Sequence, residues 1–155
     1  LLSKVEVLAM RSKRGKYIPR LDSWPATNWD WPIPVPYRQG IRLGRKVFLG
    51  GQVSFEPGCM NQNVVHVGDR AGQVDVTMGY IEAILAGLGA RTDDLRLLVC
   101  HFAGDGTATD TQAFLDSLAR RITGPLPPIT LVSQPRMHTD EMAVEIWGIA
   151  EASGA

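Results

Sequence analysis

The sequence contains few cysteines, no excess of either charge and no long apolar run. Its two cysteines, Cys59 and Cys100, match no zinc or redox spacing, so we expect neither a metal site nor a disulfide scaffold. Lys and Arg together number 16, as do Asp and Glu, which argues against nucleic-acid or anionic-membrane binding because such proteins carry a basic excess. The apolar stretches are far shorter than the ~20 residues of a membrane span. These features predict a protein of the reducing cytoplasm.

The composition is that of one folded domain. The 155 residues are 45% apolar and 21% charged. At this length a domain buries roughly 70% of the surface that its unfolded chain exposes, so no covalent or metal support is required.

Hydrophobic periodicity predicts five strands and two helices. The first helix has a buried stripe at Val74, Met78, Ile81, Leu85 and Leu88, whose spacing alternates between four and three residues. The predicted elements are two strands within residues 41–55, a helix at 71–89, a strand at 95–103, a helix from Thr109 to 124–125, and strands at 129–132 and 142–150 joined as a hairpin around 135–140.

This order predicts an α+β domain with a mixed sheet and two helices packed on one face. Two helices cover only one side, yet residues 95–102 are apolar on both faces, and Phe48 and Trp147 lie opposite Leu49 and Ile146. The uncovered face would be apolar, so we infer that a partner subunit covers it.

Three short motifs carry a family resemblance. They are Pro-Tyr-Arg-Gln-Gly at 36–40, Val-Phe-Leu-Gly-Gly-Gln-Val at 47–53, and Val-Glu-Ile at 144–146 followed by Ile149 and Ala150. Together with the element order they resemble the RidA (YjgF, endoribonuclease L-PSP) family of enamine and imine deaminases over residues 33–151. The resemblance implies a chorismate-mutase-like (YjgF-like) fold, a homotrimer and one pocket at each subunit interface. It also implies metal-free, cofactor-free hydrolysis of reactive imines, typically 2-aminoacrylate, to a keto acid and ammonia.

The resemblance also assigns site residues. Glu145 matches the glutamate that positions the attacking water, Tyr37 the pocket tyrosine, and Gly51 the glycine whose backbone contacts the ligand. The family's helix asparagine falls near Asp116.

Two positions depart from the family pattern. Gly50 stands where the family has a serine, and the arginine that grips the substrate carboxylate falls on Ile129. Arginine holds a carboxylate through two hydrogen bonds of about 1.5–3 kcal/mol each, which isoleucine does not supply. The alternative to an enzyme is therefore a non-catalytic metabolite-binding or structural member of the family.

Other readings of single residues stay open. Glu145 should point into the subunit interface. There it serves either as an acid or base for water attack, or as an interface salt bridge or a buried carboxylate that accepts hydrogen bonds from backbone donors. The three histidines, His66, His101 and His138, have no metal-ligand spacing, and we expect them to be surface or core residues. Ribonuclease activity, the family's older label, is disfavoured by the balanced charge and by the absence of interleaved basic and aromatic residues.

Residues 1–32 lie outside the resemblance. The sequence of residues 5–10 is similar to that of the strand at 144–149. Residues 1–10 are therefore expected to be either a strand added to the sheet or the closing strand of a preceding similar domain. In the second case the assembly would be a tandem-domain pseudo-trimer. Residues 11–20 form a basic linker. Trp24, Trp29 and Trp31 follow among prolines and predict an extended segment anchored by aromatic side chains, or else a partner-binding surface.

Overall fold

The structure, a computed structural model, describes residues 21–24, 38–56 and 63–153, with the backbone alone for 21–24. The predictions for residues 1–10, for the basic linker, for Trp29 and Trp31 and for Tyr37 lie outside the described residues.

In the described residues, a six-stranded mixed sheet carries two helices on one face. The strands are ordered β1-β2-β3-β6-β4-β5, and all neighbours are antiparallel except the parallel pair β4 and β5. The predicted fold class is confirmed. The elements are β1 (Leu21–Trp24), β2 (Gly40–Leu43), β3 (Lys46–Gln52), α1 (Arg70–Gly87), β4 (Leu95–Ala103), α2 (Ala108–Ala119), β5 (Ile129–Gln134) and β6 (Val144–Glu151).

The predicted hairpin between the last two strands is wrong. β5 pairs with β4, and β6 lies between β3 and β4 in the middle of the sheet. Helix α2 returns the chain across the sheet so that β5 runs parallel to β4, which is the usual crossover connection. The alternation of apolar residues predicts that a segment is a strand but does not specify its neighbour.

Both helices begin at side-chain caps. The Asp69 carboxylate accepts a hydrogen bond from the Gly72 amide at 3.0 Å, and α1 stops before Gly89, whose φ of 70° favours glycine. The Thr107 hydroxyl, rather than the predicted Thr109, caps α2 by accepting from the Asp110 amide at 3.2 Å. Helix α2 also ends at residue 119, earlier than predicted.

The core lies between the helices and one face of the sheet. Phe102 of β4 and Phe114 of α2 stack with ring centroids 4.8 Å apart, and each is 1% exposed. Burial of such large side chains is the main favourable term in folding. The predicted helical stripe is confirmed, since all five of its members are in this core.

The start of β6 is fixed by one buried amide. The Gln73 side chain donates hydrogen bonds to the His66 and Glu141 carbonyls at 3.2 and 2.8 Å, and it accepts one from the Ala143 amide at 2.8 Å. Because Gln73 is fully buried, these bonds offset the cost of removing its amide from water. They tie the loop before α1 to the loop before β6.

Two leucines provide a matched test of this core. Leu118, on the buried face of α2, is 0% exposed, whereas Leu126 is 37% exposed. We expect Leu118→Ala to lower the free energy of unfolding by about 2–5 kcal/mol, because it leaves a cavity. The same change at Leu126 should cost about 0.5 kcal/mol or less. Urea denaturation measures both, and equal losses would contradict the assigned core.

Candidate functional site

The face of the sheet opposite the helices is lined by apolar side chains in cross-strand rows. Ile41 and Val132 are 38% and 36% exposed, and the other large apolar side chains in these rows are mostly half-buried. As predicted, Phe48 and Trp147 face away from the core that holds Leu49 and Ile146. We call this surface the open face. Its rows are Ile41, Phe48, Ile149 and Leu97; then Trp147, Val99 and Thr130; then Glu145, His101 and Val132.

Glu145 lies on the open face at the centre of the sheet. Its neighbours along β6, Val144 and Ile146, are 0% exposed and point into the core, whereas Glu145 is half-buried. Since successive side chains of a strand point to opposite faces, the buried neighbours fix the direction of the carboxylate. The strand is paired on both sides, so its backbone is held firmly.

A bulge in β3 brings Gly51 beside Glu145. The register between β3 and β6 shifts between Leu49 and Gln52, the two residues that flank Gly50 and Gly51. A β-carbon built on Gly51 would meet the Glu145 carboxylate, with Oε1 as its closest contact, Cδ at 3.1 Å and Cγ at 3.4 Å. Only glycine leaves room for the carboxylate in this position.

The bulge also corrects an expectation from the alternating sequence, which predicts that Val47, Leu49, Val53 and Phe55 share one face. Val47 and Leu49 point into the core as expected, but Val53 and Phe55 do not follow them. The extra residue reverses the alternation, so the buried side chains beyond it are Gln52 and Ser54.

Buried hydrogen bonds with Gln52 and Gln39 hold the backbone of the bulge. The Gln52 side chain, 1% exposed, donates to Gln39 Oε1 at 2.8 Å and to the Gly50 carbonyl at 3.1 Å. The Gly50 amide donates to the Gln39 carbonyl at 2.8 Å. The backbone next to Glu145 is therefore anchored by buried polar groups rather than left loose.

Two of the predicted pocket residues lie away from Glu145. Ile129 packs against the helix-side core, so its assignment to the pocket is corrected. The neighbouring Thr130, opposite Val99, lies on the open face, as does Val132 in the row of Glu145. Asp116 lies at an exposed position of α2, where it accepts a hydrogen bond from Gln112 at 2.8 Å, on the other side of the sheet.

The sequence analysis did not predict that His101 lies next to Glu145 on the open face. His101 of β4 lies directly opposite Glu145 of β6 in the antiparallel register. The sequence pattern gave no sign of this pairing, because β6 was expected to pair with β5.

Cys100, the neighbour of His101, points the other way. It is 0% exposed in the core, and this burial raises the pKa of its thiol to about 12. The thiol therefore stays protonated at neutral pH and does not act as a nucleophile. Within residues 38–56 and 63–153 no three His, Cys, Asp or Glu side chains converge as a metal site would require, and neither helix described is long and apolar enough to cross a membrane.

A separate shallow groove of about 450 Å³ lies at the C-terminal end of β4. Arg70 pairs there with Asp110 at 2.6 Å and stacks over the Phe102 ring at 5.3 Å. The hydrogen bond from Arg70 holds the pKa of the Asp110 carboxyl below its usual range. This arrangement links α1 to α2, and the groove is lined by none of the predicted site residues that the structure describes.

Comparison with known proteins identifies the family. The chain matches solved structures of a Rid-family protein from Yersinia pestis (TM-score 0.68, 20% identity, 86% of this chain and 100% of that one) and of RidA from the Antarctic bacterium Psychrobacter (0.64, 18%, 81% and 95%). A YjgF/YER057c/UK114 family member from Mycobacterium tuberculosis also matches (0.61, 19%, 76% and 88%). No curated protein sequence matches. Residues 32–152 match the model of the endoribonuclease L-PSP family, and the chain therefore belongs to that family, also known as the YjgF/RidA family.

Proposed function

We propose that this protein hydrolyses a reactive imine or enamine to a carbonyl compound and ammonia, with Glu145 activating the attacking water. The observation that carries the proposal is the placement of the Glu145 carboxylate over Gly51 on the open face. The family's deaminase activity and the RidA name of a similar structure support it.

The reaction needs a base next to an electrophilic carbon. Glu145 accepts a proton from water as the oxygen forms a bond to the imine carbon, and the electron pair of the C=N bond moves to nitrogen. Glu145 returns that proton to nitrogen, which gives a carbinolamine. The carboxylate then takes the proton of the carbinolamine hydroxyl group and passes it to nitrogen, so that the C–N bond breaks and releases ammonia and the carbonyl product. Each step conserves atoms and charge without a redox partner.

We also propose that the open face is covered by further copies of the chain, in a homotrimer. Its apolar rows make contact with water costly, and association removes that cost. The half-buried Glu145 would then lie within a pocket between subunits. Such a pocket is drier than the free surface, and electrostatic interactions are stronger there than in water.

The substrate class differs from that of the typical family member. Two β5 side chains belong to the open-face rows, Thr130 and Val132. Thr130 offers one hydroxyl and Val132 no polar group, whereas the family's arginine offers two parallel charged donors. We therefore expect imines without a carboxylate to be processed at least as well as 2-aminoacrylate. Apolar substituents fit the adjacent row formed by Trp147 and Val99.

The same substitutions support a second candidate, a non-catalytic metabolite-binding or structural protein. Gly50 and Thr130 both supply fewer polar groups than the family pattern. This candidate predicts ligand binding without turnover.

Glu145→Gln tests the proposed activity directly. The amide keeps the size of the side chain but does not accept a proton, so kcat for ammonia release should fall about 10²- to 10⁴-fold. The matched control is Glu151→Gln, on the same face of the same strand, where the side chain pairs with Arg45 at 3.6 Å. Ammonia release is measured with enzymatically generated imines, both with and without a carboxylate. No acceleration by the wild-type protein with any of them would contradict the proposal.

Gly51→Ala tests the positioning of the carboxylate. The added methyl group would displace Glu145 by roughly an ångström, and such a displacement costs up to about 10²-fold in kcat. The melting temperature should change little, since only the end of a side chain must move. The control is Gly79→Ala in α1, where the nearest atom to the new methyl group is Arg121 Nη2 at 3.6 Å. A Gly51→Ala variant with wild-type kcat would show that Glu145 need not lie where the structure has it.

A further inference from the structure

His101 and Glu145 form a cross-strand pair on the open face. They are partners in the antiparallel register of β4 and β6, and their neighbours Cys100 and Ile146 are both fully buried on the other face. Residues directly opposite in such a pair have β-carbons roughly 4.5–5.5 Å apart. Both side chains are half-buried, so one small molecule can contact both of them.

Among the described residues of the neighbouring strands, Glu145 is the charged group that lies next to His101. On β5 its open-face neighbour is Val132. On β6, Glu151 lies beyond Ile149 and pairs with Arg45. On β4, the Arg96 guanidinium donates to the Asp93 and Leu95 carbonyls. Glu145 is therefore the acidic group placed next to His101.

Imine hydrolysis requires an acid as well as a base. As water adds, nitrogen gains an electron pair and must be protonated, and it must be protonated again before it leaves as ammonia. A carboxylate that has just taken the proton of water has to pass it across the reacting centre. A second proton donor next to the imine nitrogen removes the need for this transfer.

We propose that His101 is this second catalytic residue, a general acid that protonates the imine nitrogen while Glu145 takes the proton from water. The protonated imidazole gives its proton to nitrogen as the C–O bond forms. The carboxylic acid of Glu145 then protonates the carbinolamine nitrogen, the C–N bond breaks, and the hydroxyl proton returns to His101 as the carbonyl forms. The sum is imine plus water to carbonyl plus ammonia, with both residues restored. This inference rests on the proposed function.

The test compares the wild-type protein with His101→Gln, His101→Ala and a matched control, His138→Gln. His138 is exposed in the loop before β6. We expect kcat for ammonia release to fall about 10²-fold in both His101 variants, with KM close to that of wild type, because the interaction acts in the transition state. Added imidazole should restore part of the kcat of His101→Ala, and His138→Gln should match wild type. Circular dichroism and sedimentation of each variant separate loss of chemistry from loss of folding or assembly.

The outcomes separate the two proposals. If wild type is active and Glu145→Gln is inactive, but His101→Gln keeps the wild-type kcat, the role of His101 is overturned and the deaminase proposal stands. A rise in KM at constant kcat would make His101 a binding residue and would also overturn its role as an acid. A folded His101→Ala variant with lowered kcat and no response to imidazole would overturn it as well. A wild-type protein that is inactive on every imine overturns both proposals.

Discussion

The organisation of the molecule follows from one constraint. The two helices described cover only one face of the sheet, whereas the inner strand β6 has partly apolar side chains on both faces. Along β6, Val144, Ile146 and Ala150 lie in the core, while the residues between them point to the open face. A partner that covers the open face also covers Glu145. The proposed association and the proposed chemistry therefore depend on the same surface, and a substitution that weakens one is expected to affect the other.

Three features of the structure position Glu145. β6 is paired along both edges, the Gln73 side chain fixes the loop that leads into it, and the bulge of β3 places Gly51 against the carboxylate. A catalytic group held by strands and buried hydrogen bonds is more precisely placed than one on a loop. The backbone that carries this glutamate is therefore fixed more firmly than that of a carboxylate on a surface loop.

Local patterns were sufficient to predict the two helices, strands β2 to β6, the family and the face of β6 on which Glu145 lies, whereas β1 was not predicted as a strand. The stripe of α1, the doubly apolar strand β4 and the alternation of β6 each depend on residues close in sequence, and the structure has them as expected. Long-range pairing was not predictable in the same way. The assumption of a hairpin between β5 and β6 hid the fact that His101 lies opposite Glu145, since that contact exists only when β6 is next to β4.

The other wrong predictions concern the faces on which single residues lie. A shift of one residue decides which face a strand residue occupies, so Ile129 was assigned to the site although Thr130 is on that face. The bulge at Gly50 and Gly51 likewise reversed the pattern beyond it, and two consecutive glycines were the available signal. Asp116 was placed by an alignment alone, and the helix that carries it lies on the far side of the sheet from the open face.

The most direct test of the central claim is the mass of the protein in solution, measured by sedimentation equilibrium over a range of concentrations. If the open face is an interface between copies of this chain, the mass will be three times that of one chain and will hold on dilution to micromolar concentrations. A mass of one chain at every concentration would contradict the account, because Glu145 and its apolar surroundings would then face water.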